Sequence, residues 1–214
     1  MIIDGVLVEK LPPLDIERRS MEIIEENLKG RNIAPLEKLV IKRAIHTSAD
    51  FDYADNLKFS KNAIQSALSA LKKGACIVTD TNMGKSGINK RALEALGCEV
   101  KCFIADEDVA DWARKNGITR SEVSMDKAAA TIHGPLIFAV GNAPTALIRL
   151  YELIKEKKIS PDLVIGVPVG FVNVVQSKEL IMKSGIEYIV AEGRKGGSNV
   201  AAAIVNALLY MITR

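Results

Sequence analysis

Two stretches near the start of the chain carry the side chains best suited to acid–base chemistry. Histidine exchanges protons near neutral pH more readily than other side chains. His46 follows Arg43 by three residues, which places both on one side of a helix. Arg43 interrupts the apolar stripe of its predicted helix, and Ser20 does the same in the helix before it. Because a polar group on an apolar face is costly without a partner, we expect these residues to share a ligand. A solvated or capping histidine is the alternative.

Three loops of small residues each follow an apolar run and precede a predicted helix, at residues 141–145, 167–171 and 193–198. A helix N-terminus supplies unpaired N–H donors and about half a positive charge, and small side chains let a ligand touch the backbone. Three such ends at one sheet edge predict a site for a large ligand with several negative groups. An ordinary strand-to-helix turn is the alternative for each loop. The candidate binding residues of these loops are Asn142, Ala143, Thr145, Gly170, Arg194, Gly196, Gly197 and Ser198.

Two of these loop residues are also expected to cap helices. Asn142 and Ser198 have side chains that N-cap positions prefer. Residues 193–198 resemble an anion nest, to which Arg194 and Lys195 would add charge. The glycine spacing of this loop does not match a dinucleotide-binding loop.

A further helix start carries an arginine. Thr119 and Glu122 have the spacing of a capping box, which places Arg120 at the first helical position and Ser121 beside it. A guanidinium next to a helix dipole is a good clamp for a carboxylate. Arg120 and Ser121 are therefore candidate binding residues, and a surface arginine on a capped helix is the alternative.

The segment Gly84-Lys85-Ser86 follows an apolar run and is similar to the end of a nucleotide-binding P-loop. That pattern requires glycine five positions before Gly84, where Thr79 stands instead, so we do not expect a nucleotide site. Lys85 stays a candidate contact for an acidic group of the ligand.

The periodicity of apolar residues predicts the elements that must position these side chains. Five strands alternate with helices in the second half of the chain, which predicts a three-layer, doubly wound α/β sheet of about five parallel strands with helices on both faces. Ligands of such sheets lie outside the carboxyl ends of the strands. We expect one domain, 1–214, with a helical part at about 15–73 and an α/β part at about 75–214. The strands are predicted at 76–80, 99–104, 136–140, 163–166 and 187–191, and the helices at 15–29, 35–44, 60–73, 89–96, 107–116, 122–132, 145–157, 174–183 and 199–212, with a polar break at 46–53.

Composition excludes several classes of protein. Hydrophobic residues make up 48% of the chain and aromatic residues only 5%, which indicates an aliphatic core. A net charge of +3 from scattered residues is too small to indicate nucleic-acid binding. The three cysteines lack the spacing of a metal site and are expected to be free thiols in a reducing compartment. Neither a signal peptide nor a membrane span is apparent. We expect a cytoplasmic protein without metal, cofactor or membrane contact.

Six segments share an order and spacing that, taken together, are specific. They are Arg43-Ala44-Ile45-His46, Thr119-Arg120-Ser121, Gly141-Asn142-Ala143-Pro144-Thr145-Ala146-Leu147, Pro168-Val169-Gly170-Phe171-Val172, Ser177-Lys178, and Gly193-Arg194 with Gly196-Gly197-Ser198. In these segments, over nearly its whole length, the chain resembles the precorrin-8X methylmutases of cobalamin biosynthesis, including their cobalt-precorrin-8 counterparts.

The resemblance implies a homodimeric isomerase that moves a methyl group from carbon 11 to carbon 12 of a corrin precursor. The product would be hydrogenobyrinate, or cobyrinate where cobalt is already present. By resemblance, His46 corresponds to the family's catalytic histidine, and Ser20, Arg43 and Arg120 correspond to substrate contacts. The implied substrate is a tetrapyrrole with many carboxylates, and its rearrangement needs no nucleotide or methyl donor.

Two other functions remain open from the sequence. A non-catalytic corrinoid carrier could use the same scaffold, because the same pocket would bind the acidic product. A nucleotide-dependent enzyme built on Gly84-Lys85-Ser86 is the other alternative.

Overall fold

A six-stranded, mostly parallel sheet is the middle layer of the structure, a computed structural model that describes residues 1–214 apart from the side chain of Leu14. Its strands are β3 (Leu57–Phe59), β4 (Cys76–Thr79), β5 (Glu99–Lys101), β6 (Leu136–Val140), β7 (Leu163–Gly166) and β8 (Tyr188–Ala191). They lie in the order β3-β8-β7-β6-β4-β5, and β3 pairs antiparallel with β8. The five predicted parallel strands are confirmed. Strand β3 was not predicted, since three residues are too few to show an alternating pattern.

Helices cover both faces of this sheet, as predicted for a three-layer α/β fold. Their bounds are α1 (Pro13–Asn27), α2 (Pro35–Ser48), α3 (Tyr53–Asn56), α4 (Ala63–Lys72), α5 (Asn82–Gly87), α6 (Lys90–Ala95), α7 (Glu107–Asn116), α8 (Arg120–Thr131), α9 (Pro144–Lys155), α10 (Val174–Met182) and α11 (Ser198–Thr213). The short helices α3 and α5 were not predicted. None of the helices in the described residues is long and apolar enough to cross a membrane.

Alternate residues of the strands face two different helical layers. Ile77 and Ile137 lie in a core with residues of α1, α2, α4, α6 and α11. Val78 and Phe138, their neighbours along the same strands, lie in a second core with residues of α8, α9 and α10. The parallel strands are therefore apolar on both sides, as buried parallel strands usually are.

Helix α2 is longer than predicted, and this changes the setting of His46. The polar residues 46–48 continue the helix instead of breaking it, because Ile45 stays buried in the core that α2 shares with α11. The helix ends at Ala49, which adopts a left-handed conformation with φ 54° and donates its N–H to the Ile45 carbonyl at 2.7 Å. His46 therefore lies in the last turn of α2.

The N-terminus forms a two-stranded antiparallel hairpin of β1 (Ile2–Ile3) and β2 (Val6–Leu7). Its apolar side chains are exposed, Ile2 to 72% and Leu7 to 80%. The treatment of the whole chain as one domain stays a prediction.

Candidate active site

His46 and Ser20 line one surface cavity of about 300 Å³ between α1 and α2. Its walls are otherwise mostly apolar and include Ile23, Ile45 and Phe51. The imidazole is exposed and makes no hydrogen bond with any residue whose side chain the structure describes. Ser20 Oγ donates to the Ile16 carbonyl at 2.9 Å, which leaves its lone pairs able to accept from a ligand. The expected meeting of Ser20 and His46 is thus present, with an imidazole free to bind.

Arg43 points into a neighbouring cavity of about 260 Å³ instead of sharing the one at His46. Its guanidinium donates to Glu17 at 2.6 Å and lies 5.2 Å from the centre of the Tyr210 ring. The hydrogen bond from Arg43 lowers the pKa of the Glu17 carboxyl, and the charges of Arg43, Arg214 and His46 lower it further. A ligand carboxylate at Arg43 would therefore have to compete with Glu17.

The N–H donors that begin α9 are occupied by a carboxylate of the protein itself. Asp80, which is 2% exposed, directly follows β4. Its Oδ1 accepts the N–H of Gly141 at 2.9 Å, and its Oδ2 accepts those of Asn142 at 2.8 Å and Ala143 at 2.7 Å. Burial raises the pKa of this carboxyl, and the three N–H groups oppose that shift. The expectation that these N–H groups are open to a ligand anion is wrong.

The expected helix caps at Asn142 and Ser198 are also wrong. The N-cap of α9 is Ala143 and that of α11 is Gly197, and neither has a capping side chain. The hydroxyl of Ser198 instead hydrogen-bonds that of Thr81 at 2.8 Å, which ties the start of α11 to the residues after β4. Asn142 lies one residue before the N-cap of α9, and its backbone N–H donates to Asp80.

The loop between β8 and α11 covers a buried lysine on α10. Lys178 is 0% exposed, and its ammonium donates to the carbonyls of Gly193 at 2.8 Å and Lys195 at 2.9 Å. Burial lowers the pKa of Lys178 to about 8. In the same loop, the carbonyl of Arg194 accepts the N–H of Gly170 at 3.2 Å. The peptide carbonyls of this loop are thus used inside the protein.

Two of the loop glycines allow backbone segments to pack against each other. A Cβ at Gly141 would lie 2.6 Å from the Cα of Ser198, and one at Gly196 would lie 2.0 Å from the Val167 carbonyl oxygen. The neighbouring loop fills the space that a Cβ would take, so glycine at these two positions serves the packing of the backbone. Gly197 is required for another reason, its φ of 141°.

Arg120 occupies the predicted first position of α8, next to the start of α9. The Thr119 side chain caps α8 by accepting the N–H of Glu122 at 3.2 Å, and its hydroxyl also hydrogen-bonds that of Thr145 at 2.8 Å. This pair of hydroxyls places the exposed Arg120 beside the start of α9. Ser121, by contrast, is 9% exposed and is available to a ligand only at its edge.

Lys85 lies in helix α5 and not in a phosphate-binding loop. The N–H of Gly84 donates to Thr81 Oγ1 at 3.0 Å, so it is not free for a phosphate. The side chain of Lys85 is exposed, as is that of Met83 at 72%. The alternative of a nucleotide site finds no support in this geometry.

Two exposed apolar residues at the carboxyl edge of the sheet were not among the candidate binding residues. Phe171 and Val172 are 86% and 78% exposed in the loop between β7 and α10, beside Gly170. Such a group of exposed apolar side chains is a surface on which a flat ring can lie. Apolar residues inside a loop of small residues were the available signal.

Within the described residues, no cluster of three or more His, Cys, Asp or Glu side chains could hold a metal ion.

Comparison with known proteins decides what kind of enzyme carries this geometry. The family model for precorrin-8X methylmutases matches residues 15–211. The chain belongs to this family. The cobalt-precorrin-8 methylmutase of Salmonella typhimurium is 47% identical over 203 residues, which cover 92% of this chain and 95% of that protein. The corresponding Leptospira interrogans methylmutase is 43% identical over 207 residues, 94% of each chain. The solved structure of the precorrin-8x methyl mutase of Thermus thermophilus matches with a TM-score of 0.84 at 37% identity, covering 92% of this chain and 96% of that one.

Membership in the methylmutase family fixes the class of reaction. Methylmutases are intramolecular transferases, a class of isomerases, and this family acts in cobalamin biosynthesis. The chain is therefore an isomerase of that biosynthesis. The resemblance seen in the sequence is confirmed, whereas the role of each site residue is not tested by these comparisons.

Proposed function

We propose that this methylmutase moves a methyl group from carbon 11 to carbon 12 of a precorrin-8, with His46 as the general acid. The observation that carries the proposal is the exposed imidazole of His46, unpartnered in the described structure, in a cavity shared with Ser20. Exposure alone does not single out His46, because His133 is exposed as well. The cavity that His46 shares with Ser20 does.

The proposed chemistry is a rearrangement in which nothing is added or lost. His46 lends a proton to the macrocycle near the migrating methyl group and so lowers the electron density of the ring. The bond from the methyl carbon to carbon 11 breaks as the bond to carbon 12 forms, in a 1,5-sigmatropic shift. The proton then returns to the imidazole. General acid assistance contributes about 10²–10⁴-fold to such a step, and the positioning of the flat ring contributes further.

The carboxylates of the substrate are proposed to meet the exposed cations around the sheet edge. Arg120 beside α9, Arg194 in the loop before α11 and Lys85 on α5 have exposed side chains. Several separated cations suit a ring that carries its carboxylates around the rim. We propose that Arg43 exchanges its bond with Glu17 for a substrate carboxylate. Ser121, Ala143, Gly196, Gly197 and Ser198 would shape the site through the backbone.

We propose a homodimer in which a second copy covers the cavity at Ser20. That cavity holds only about 300 Å³, near the low end for small-ligand sites, so it encloses one side of a tetrapyrrole. The exposed apolar hairpin lies on the same side, because Met1 and Val8 line a further cavity together with Ser20. Sedimentation analysis should give twice the mass of the chain, and a monomer at micromolar concentration would contradict this.

The substrate is proposed to carry cobalt already. The relatives at 47% and 43% identity are cobalt-precorrin-8 methylmutases, whereas the 37% identical structure is of a precorrin-8x methyl mutase. Side-by-side turnover of the two substrates should favour the cobalt form. We also propose a cytoplasmic location, which free cysteines suit.

Replacement of His46 by alanine tests the proposed function. Turnover of precorrin-8, followed by its absorption change, should fall at least about 100-fold in His46→Ala. His133→Ala is the matched control, because His133 is the other histidine of the chain and is exposed. Near-normal turnover by folded His46→Ala would refute the acid role. Wild-type protein that binds the substrate without converting it would favour the carrier.

A further inference from the structure

Lys178 is a buried cation for which the fold provides no counter-ion. It is 0% exposed, and no carboxylate lies within salt-bridge distance of it among the described side chains. Its partners are the carbonyl oxygens of Gly193 and Lys195. Burial of a charge without an opposite charge is expensive. A side chain that ends in a methyl group would fill the same space at a lower cost in free energy. The buried ammonium of Lys178 therefore indicates a role for its charge.

The two carbonyls that Lys178 binds determine where two N–H groups point. In a trans peptide the C=O and the N–H lie on opposite sides of the chain, and the structure has no cis peptide bonds. Because the carbonyls of Gly193 and Lys195 point at the ammonium, the N–H groups of Arg194 and Gly196 point away from it. Neither N–H has an acceptor within the described residues.

The same loop leads into α11, whose first N–H groups are also unpaired. The first intrahelical bond of α11 is donated by Ala201 to the Gly197 carbonyl at 3.0 Å. The Gly197 N–H donates to the Val167 carbonyl at 2.9 Å. Those of Ser198, Asn199 and Val200 have no backbone acceptor among the described residues and add positive potential beside those of Arg194 and Gly196. A buried cation behind the carbonyls polarises the same peptide units and strengthens their outward donors.

We propose that Lys178 is a positioning residue of the substrate site, which holds the loop before α11 so that the N–H groups of Arg194 and Gly196 receive a substrate carboxylate. This role rests on the proposed function, since the carboxylate belongs to the tetrapyrrole. Lys178 itself does not touch the substrate. Its charge acts through the two carbonyls that it binds.

Equilibrium binding of the reaction product tests this role independently of turnover. The product cobyrinate is titrated into the wild type, Lys178→Met and Lys178→Arg, and binding is followed by the absorption of the corrin. The methionine variant should bind about tenfold more weakly, the value of one lost charge-assisted hydrogen bond, and arginine should restore part of the loss. The KM for cobalt-precorrin-8 should rise in Lys178→Met while kcat changes little. Lys183→Met, which removes an exposed lysine just after the same helix, should bind like the wild type.

Amide chemical shifts show which backbone N–H groups contact the product. The resonances of Arg194 and Gly196 should move when product is added to the wild type, and they should move less in Lys178→Met at the same fraction of protein bound. If the methionine variant does not fold, Lys178→Gln keeps two N–H donors without the charge and should bind several-fold more weakly. Equal product binding by wild type and the uncharged variants overturns the role of Lys178 alone. Wild-type protein that binds no product overturns the proposed function and this role with it.

Discussion

The loops that start α9 and α11 look alike in sequence, yet each is fixed by a buried ion of opposite sign. Asp80 lies behind the loop before α9 and takes its N–H groups. Lys178 lies behind the loop before α11 and takes its carbonyls. The first loop therefore has its donors turned toward Asp80, whereas the second has two of them turned away from Lys178 and without an acceptor in the described residues. Two similar stretches of small residues thus differ in whether they can receive an anion.

Replacement of Asp80 by asparagine should break the first half of this comparison. One carboxylate oxygen becomes an NH₂ group that faces backbone N–H donors, and the charge that they stabilise is lost. The free energy of unfolding in urea should fall by about 3–5 kcal/mol. Asp111→Asn, at an exposed carboxylate on α7, is the control and should change it by less than about 0.5 kcal/mol. A loss below about 1 kcal/mol for Asp80→Asn would show that the loop does not depend on the carboxylate.

Alanine substitutions at Gly141 and Gly193 test how the two loops pack. Gly141 packs against the loop before α11, whereas the space beside Gly193 is open. A Cβ at Gly141 meets the Ser198 Cα at 2.6 Å, so Gly141→Ala must separate the loops and should cost about 2–3 kcal/mol. Gly193 has a φ of 77° and no atom within 4 Å of an added Cβ, so Gly193→Ala should cost only about 1 kcal/mol of backbone strain. Thermal unfolding of both variants measures the difference. Equal losses would mean that the loops move independently.

The pH dependence of the free energy of unfolding should show whether Lys178 is buried as a cation. Burial lowers the pKa of Lys178 to about 8 in the folded protein, whereas its ordinary value of about 10.5 applies in the unfolded chain. The unfolded state thus binds more protons in this window, so stability rises with pH. The difference in unfolding free energy between wild type and Lys178→Met should change by up to about 1.4 kcal/mol per pH unit. A difference that stays constant from pH 7 to 11 would contradict a buried charged lysine.

The sheet could be predicted from the sequence because its signals are local. Each parallel strand is a short apolar run, and such a run is visible without its neighbours. Helix α2 was cut short at its polar end because the helix that covers Ile45 comes from the far end of the chain. Strand β3 was not predicted either, because the strand that pairs with it lies far along the sequence: Leu57 pairs with Ala191.

The structure brings together Ser20 and His46, two candidate site residues that were chosen from the sequence for the chemistry of their own side chains. His46, Ser20 and Arg120 could be chosen from residue type and position alone. Of these, His46 and Ser20 line the same cavity. The assignment of open donors to the loop before α9 failed because Asp80 reaches Gly141 across a sequence separation of 61. Lys178 was noted only as part of a segment that carries the resemblance and was given no role, since a lysine on an amphipathic helix normally lies in solvent.

The packing of α2 has a consequence for the order in which the molecule is made. The core that holds α2 is completed by α11, which begins at Ser198 and is synthesised after every strand of the sheet. A nascent chain that stops before this helix has its whole sheet and lacks the wall against which α2 rests. His46, the proposed general acid, therefore acquires its setting only after α11 has left the ribosome.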